Sequence, residues 1–378
     1  MSVDLSETIS SGACSRRAVA VVMTVPALHT FYVYLTSGCN CACRHCWFVP
    51  ERQKGAEKEV VLDPEVLRHA IEQALPLGLA AIKWTGGEPT LHPCFRTLLG
   101  LQKEYRLDAI VETNAMLIDD GLAALMRDSG VSRVSVSLDG ADSETHDAIR
   151  CVEGGFKKTL VGIRSLVNAG FQPELILTLQ QSNQRQLPEF FALAMELGAG
   201  AVKLNVLQPV LRAETLSSQG DGLSISEILE VAQKVSDTWS QQFKIPVQIG
   251  VPHAFRPLSR IISGDDEGVC NIMHVLGILP SGSYALCGVG QHVAELSLGA
   301  VMSVDLNDVW QDHQVLKRLR DGLPRNLQGI CSDCLMQENC LGSCVAANYQ
   351  LSGDLLAAYW FCQQAADQGL FPATRRRS

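Results

Sequence analysis

The chain has 378 residues, 47% hydrophobic and 19% charged, a globular composition with room for one large domain and a smaller one. Its 31 basic residues against 40 acidic ones give a formal charge of −9, which excludes a nucleic-acid binder dominated by phosphate contacts. No stretch reaches the roughly 20 apolar residues that a membrane span needs. Arg16-Arg17 ahead of the apolar run Ala18 to Leu28 has the outline of an export signal. Asp4 and Glu7 spoil a positive start, Pro26 interrupts the run, and no small-residue cleavage pattern follows. Residues 1–28 therefore read as an extension leading into the first core strand of a cytoplasmic protein. Fourteen cysteines at short spacings in a domain this large favour metal binding in a reducing compartment over disulfides.

Phe31 to Leu35 reads as a strand, and Asp63-Pro64 opens a helix with Val66, Leu67, Ala70, Ile71 and Ala74 on one face. Strands follow at Ala80–Trp84, Asp108–Thr113, Val131–Leu138, Pro173–Leu179 and Ala201–Leu207. Helices are expected between them at about Pro93–Tyr105, Asp119–Asp128, Gly155–Ala169 and Pro188–Leu197. Repeated βα units imply a parallel sheet with right-handed crossovers, and six are too few for a closed eight-stranded barrel. Gln208 to Leu223 reads as a loop, a helix follows from about Ser226 to Trp239, and periodicity fades from about Val247. The expected division is an extension (1–28), a core domain (29–245) and a Cys-rich domain (246–378).

Directly after the first strand comes Cys39-Asn40-Cys41-Ala42-Cys43-Arg44-His45-Cys46. Cys39, Cys43 and Cys46 stand at C-x3-C-x2-C spacing. Three thiolates in a tight loop can hold three irons of a cubane cluster and leave the fourth open to a ligand. The competing reading is a zinc site built from Cys39, Cys41, Cys43 and Cys46. The loop resembles the signature of the radical S-adenosylmethionine (SAM) superfamily, from which Cys41 departs. The resemblance implies a partial (β/α)6 barrel working at the C-terminal ends of its strands. It also implies that the open iron chelates the amino and carboxylate groups of SAM. One electron then splits the sulfonium, giving a 5′-deoxyadenosyl radical that abstracts hydrogen from substrate.

Gly86-Gly87-Glu88, after the second strand, resembles the family's GGE motif and implies contact with the SAM amino group. By the same resemblance Thr113 and Asn114 close the third strand near SAM, and Arg150 pairs with the SAM carboxylate or else forms a surface ion pair. Ser135 and Ser137 alternate on the fourth strand ahead of Asp139-Gly140. Ser137 offers a hydroxyl to SAM, or the serines and the Asp-Gly turn are ordinary strand-end chemistry. His45 stands where the family favours a flat side chain beside the adenine, and Trp47 reads as packing.

Seven late cysteines follow the pattern C-x11-G-x4-C, C-x2-C-x5-C-x3-C and a final cysteine, with Gly282 as the glycine. This resembles the SPASM extension of peptide- and protein-modifying radical SAM enzymes. The resemblance implies two auxiliary [4Fe–4S] clusters, one on Cys331, Cys334, Cys340 and Cys362. The other has Cys270, Cys287 and Cys344. Its fourth ligand is left open, between Asp265, Asp266, Glu267, substrate and water. A zinc ribbon on Cys331, Cys334, Cys340 and Cys344 competes, but leaves three cysteines unexplained. Cys14, Cys41, Cys94 and Cys151 are left over and read as buried thiols.

The resemblance implies a maturase of ribosomally synthesised precursor peptides, with a weak likeness to the Nif11-type leader group. Such an enzyme installs a crosslink, an epimerisation or a backbone excision. About 30 residues ahead of the first strand are too few for a winged-helix leader-binding domain, so a separate leader-recognition protein is expected. Flavodoxin or ferredoxin is the expected electron donor. The alternatives are a sulfatase-type protein maturase, a tetrapyrrole-modifying enzyme, and a non-catalytic zinc-binding module. Tyr32, Asp265, Asp266, His274 and Tyr284 are acid–base candidates by closeness in sequence to cluster ligands.

Overall fold

The computed structural model of the protein describes residues 25–50, 58–262 and 270–377. Most of the N-terminal extension, with Cys14 and Arg16-Arg17, lies outside them, as do Asp265, Asp266 and Glu267. Of the other leftover thiols expected to be buried, Cys41 is buried, but Cys94 is half-buried and Cys151 is exposed.

Six βα units follow one another, and together they form a partial (β/α)6 barrel. The strands are β1 (Thr30–Tyr34), β2 (Ala81–Thr85), β3 (Asp108–Thr113), β4 (Val131–Ser137), β5 (Glu174–Leu179) and β6 (Ala201–Val206). The helices are α1 (Pro64–Ala74), α2 (Phe95–Glu104), α3 (Asp120–Asp128), α4 (Ser143–Arg150), α5 (Gly155–Asn168) and α6 (Leu187–Glu196). Three of these helices start where an aspartate meets the orphan amides of the first turn. Asp63 accepts from Glu65 N, Asp119 from Leu122 N and Asp142 from Thr145 N, at 2.7 to 2.9 Å.

β1 to β6 pair in sequence order, all parallel. The sheet then continues at both edges. β7 (Val247–Ile249) pairs parallel with β6, and β8 (Val275–Ile278) pairs parallel with β1. The antiparallel strands β9 (Ser283–Ala285) and β10 (Ser297–Ala300) extend it beyond β8. The Cys-rich region therefore shares backbone hydrogen bonds with the barrel. The segment expected to be loop after β6 contains a helix, Arg212–Ser218. Its first residue, Arg212, donates to the carbonyls of Ala42 and Cys43 in the cysteine loop, both at 3.2 Å.

Along each barrel strand the side chains alternate between two environments. Ile82, Trp84, Ala109, Val111, Leu175, Leu177, Val202 and Leu204 are wholly buried in the core. Their neighbours Tyr32, Lys83, Glu112, Ser137, Ile176, Lys203 and Asn205 keep part of their surface open. Parallel sheets ordinarily bury both faces. Here the inner face of the curved sheet is polar and open, which makes it a lumen rather than a second core. No helix among the described residues is long and apolar enough to cross a membrane.

Candidate active site at the barrel mouth

The loops after β1 to β5 converge at one end of the barrel. The cysteine loop is laced to its neighbours mainly through backbone. Glu88 N donates to Gly38 O at 2.8 Å and Gly87 N to Thr36 O at 2.9 Å. From the other side Ala42 N and Arg44 N donate to the carbonyls of Arg150 and Ile149 at the end of α4. Arg44 pairs with Asp221 at 3.1 Å. A Cβ on Gly87 would stand 1.8 Å from the Gly38 carbonyl oxygen, so only glycine lets the cysteine loop pass this close. Gly86 has φ +130°, a value side chains rarely accept.

Glu88 is nearly fully buried, and its carboxylate is committed within the fold. Oε1 accepts from Thr90 Oγ1 at 2.6 Å and Thr113 Oγ1 at 2.7 Å, and Oε2 from Asn114 N at 2.8 Å. It thus ties the Gly86–Glu88 turn to the end of β3. Asn114 in turn donates to Asn40 Oδ1 at 2.7 Å, which fixes the cysteine loop to β3. Ser137 lies on the inward face of β4, and Ser135, two residues earlier, donates to Glu174 at 3.0 Å.

Opposite the turn, Asp139 and Arg150 form a buried ion pair at 2.6 Å. Asp139 also accepts from Thr178 N at 2.8 Å, and His45 Nε2 stands 3.7 Å from it. Burial alone would push the Asp139 carboxyl up; the charges of Arg150 and then His45 outweigh it, so the group sits below the usual carboxylate range. Arg150 extends on to Cys43, with Nη1 3.6 Å from Sγ. The Cys43 thiol is pushed down to about 5, first by the Cys41 side chain that donates to it and then by Arg150 and His45, against burial. Cys41 moves the other way, because its proton is shared with Cys39 and Cys43. Its sulfur also lies 3.7 Å from Met116 Sδ and 3.7 Å from Asn114 Nδ2. Burial raises Cys46 to about 11. A thiolate on Cys43 held beside a guanidinium is the ligand form that iron requires, so the donor set fits an iron–sulfur cluster.

The seven late cysteines fall into two groups. Cys331, Cys334, Cys340 and Cys362 line one small pocket together with Pro252, Met336 and Phe371. Cys344 is absent from it and interacts electrostatically with Cys270 and Cys287 instead. Burial raises Cys270 to about 12 and Cys344 above its ordinary value. A Cβ on Gly277 of β8 would come within 2.9 Å of Cys287 Cα, and Gly277 is the register partner of Tyr32. This second group therefore lies beside β1. Among the described residues no three His, Cys, Asp or Glu side chains converge tightly enough to hold a single metal ion. A cavity of about 450 Å³ between the helix Ile225–Lys234, β7 and Arg256 contains none of these cysteines, so size alone does not mark the site.

Residues 33–194 match the family model of the Radical SAM superfamily. The chain carries a radical SAM domain. It is an enzyme of that superfamily, which removes the reading as a non-catalytic zinc module. A radical SAM domain implies a [4Fe–4S] cluster and SAM binding. Over 349 residues the chain is 29% identical to an AdoMet-dependent heme synthase of Methanosarcina barkeri (strain Fusaro / DSM 804), covering 87% of this chain and 94% of that one. It is 26% identical to the mycofactocin maturase MftC of Mycolicibacterium smegmatis (strain ATCC 700084 / mc(2)155), covering 83% and 77%. The Streptococcus suis SuiB structure bound to precursor peptide SuiA superposes with a TM-score of 0.69 over 90% of this chain and 76% of that one, at 17% identity, and shows the shared fold.

Sequence reasoning named Asp139 only as part of a turn and did not single out Gln180, Lys83 or Glu112. Gln180 Nε2 lies 3.3 Å from His45 Nδ1. Lys83 and Glu112 had a legible signal: charged residues at the inward positions of strands whose other face is wholly apolar. Of the acid–base candidates within the described residues, Tyr32 faces the lumen, Tyr284 is fully buried and His274 bonds the Ala27 carbonyl.

Proposed function

We propose that the protein is a radical SAM peptide maturase whose site-differentiated cluster is ligated by Cys39, Cys43 and Cys46. The observation that carries this is a three-cysteine loop clamped at the mouth of an open, polar barrel, with Arg150 beside Cys43. When bound, the cluster and SAM supply a 5′-deoxyadenosyl radical able to abstract hydrogen from an unactivated carbon. The chain's own residues hold and shield that chemistry. Arg150, fixed by Asp139, presents a cation where the SAM carboxylate would lie. His45, steadied by Gln180, flanks the adenine. Gly86 and Gly87 bring bare backbone to the SAM amino group. Glu88, Thr113 and Asn114 act through the turn they lock. Ser137 offers its hydroxyl from β4.

The partition of the late cysteines supports two auxiliary [4Fe–4S] clusters, on Cys331, Cys334, Cys340 and Cys362 and on Cys270, Cys287 and Cys344. The fourth ligand of the latter comes from Asp265, Asp266, Glu267, substrate or water. The substrate is a ribosomally made precursor peptide, as the likeness to SuiB and to the mycofactocin maturase supports. A separate leader-binding protein and a flavodoxin or ferredoxin complete the system, in the cytoplasm. Likeness to the heme synthase over nearly its whole length favours a second reading, in which the substrate is a tetrapyrrole.

Anaerobic reconstitution followed by dithionite and SAM tests the core claim. We expect 5′-deoxyadenosine from the wild type and none from Cys43→Ala. A colourless, zinc-loaded protein without SAM cleavage would reject the proposal.

A further inference from the structure

Lys83 and Glu112 form an ion pair at 2.5 Å on the inner face of the sheet. The outer faces of β2 and β3 are already filled by Ile82, Trp84, Ala109 and Val111, so the scaffold has no packing use for these charges. A charge pair taken out of bulk water is commonly less stabilising than apolar residues of the same volume. Its open surface, 21% for Lys83 and 32% for Glu112, faces the lumen.

The surroundings keep both groups ionised. Thr85 Oγ1 donates to Glu112 Oε2 at 3.3 Å, and the Lys83 ammonium lies 4.7 Å from the centre of the Tyr32 ring. Burial would raise the Glu112 carboxyl, but Lys83, with Lys203 across the lumen on β6, holds it below its ordinary value. Glu174, at the start of β5, is engaged by the Ser135 hydroxyl. Two landmarks on the neighbouring strands β1 and β8 locate the pair, since Lys83 is the register partner of Tyr32. Two residues above Tyr32 is Tyr34, which stacks on Phe48 of the cysteine loop, with ring centres 5.5 Å apart. Beside Tyr32 in register is Gly277, against Cys287. Lys83 also interacts electrostatically with Cys270, so the pair borders the part of the lumen that faces the Cys270, Cys287 and Cys344 group.

We propose that the Lys83–Glu112 pair is the substrate-reading element of the lumen and that the group it reads is an amide. The proposal rests on the peptide reading above. An ammonium and a carboxylate side by side present a fixed donor next to a fixed acceptor. A peptide unit, or the carboxamide of Asn or Gln, offers the complement: a carbonyl for Lys83 and an N–H for Glu112. A ligand whose polar groups are all carboxylates offers acceptors only and sets a second anion against Glu112. The pair thus favours a peptide over a ligand that carries carboxylates alone, for which Lys83 and Lys203 offer a partner and Glu112 does not.

The test compares the wild type, Lys83→Arg, and the double variant Lys83→Met/Glu112→Leu, all full-length, reconstituted and with SAM present. An apolar pair of similar volume removes the charges without leaving one unpaired. The probes are a pool of short random-sequence peptides blocked at both ends, with capture read by mass spectrometry, and iron coproporphyrin, read by absorbance. We expect the wild type to capture peptides and the double variant to lose that capture by about tenfold or more, the scale of hydrogen bonds to charged groups. Lys83→Arg retains capture, and porphyrin binding by the double variant equals or exceeds that of the wild type. Equal peptide capture by wild type and double variant overturns the role of the pair and leaves the peptide reading standing. A wild type that binds neither probe overturns the pair as a reading element and leaves the peptide reading, with its separate leader-binding protein, standing; one that binds the porphyrin and no peptide overturns the peptide reading and this proposal with it.

Discussion

Gly87 shows how one absent methyl group positions the cysteine loop. Its missing Cβ leaves room for the Gly38 carbonyl, which accepts from Glu88 N one residue further on. Gly87→Ala should therefore push the cysteine loop away, with iron content reduced and 5′-deoxyadenosine formation lost. Gly100→Ala, where an added Cβ would meet nothing, is the matched control and should behave as wild type. Loaded, active Gly87→Ala protein would contradict this account. The buried pair of Asp139 and His146 gives a second prediction at this scale. Burial pushes the His146 imidazole down to about 4, and its Nδ1 accepts from Asp139 N at 3.1 Å, so the folded protein holds it neutral. In the unfolded chain it takes a proton near pH 6.5. Its contribution is complete above that pH and is lost as pH falls towards 4. The depressed Asp139 carboxyl acts in the same direction at lower pH, its stabilisation fading only as pH falls below about 4. Urea midpoints should thus fall between pH 7 and pH 4, with up to about 3 kcal/mol of that loss due to His146. His146→Gln should flatten the profile; parallel profiles for wild type and variant would exclude this cause.

At the scale of elements, the close fit of α5 beneath the β3 turn holds Asn114 in place. Thr159 Oγ1 donates to Asn114 O at 3.0 Å, and a Cβ on Gly162 would stand 2.0 Å from Ala115 O. Gly162→Ala should destabilise by about 1–3 kcal/mol, the usual cost of overpacking, and should weaken the Asn114–Asn40 link to the cysteine loop. A melting temperature at or above that of wild type would remove α5 from the argument. The barrel elements were legible because local signals agreed: Asp63-Pro64 and Asp119 announce helix starts, and apolar alternation announces β3 and β5. β7 was not legible, because three residues carry too little alternation to distinguish a strand from a loop. β8 was hidden for a different reason. Its pairing with β1 spans some 245 residues of sequence, and no local pattern reports a partner that distant. The short cysteine spacings were readable from the start. The charged inner face was present in Lys83 and Glu112 but became meaningful only once curvature brought Lys203 across from them.

At the scale of the whole molecule, the chain sets its clustered thiols at three separate stations. The cysteine loop stands at the mouth and the Cys270, Cys287 and Cys344 group beside β1. The Cys331, Cys334, Cys340 and Cys362 pocket lies against Phe371. These last four are far along the chain from the SAM-side residues, and none of them lines the mouth. The Cys362 helix, Trp360–Asp367, is nevertheless tied back to the barrel, because Trp360 Nε1 donates to Gln208 just after β6 at 2.9 Å. Under the proposed function an electron leaving the substrate would have a route outward through this side, while SAM cleavage would need only the mouth. Separating the two tasks in space predicts that they separate in mutants. Cys334→Ala should keep 5′-deoxyadenosine formation and fail to give finished product. Cys43→Ala should lose both. The measurement is nucleoside release alongside mass change of the substrate in one reaction. If Cys334→Ala forms product at the wild-type rate, the late pocket is a structural fastening and the electron leaves by another way.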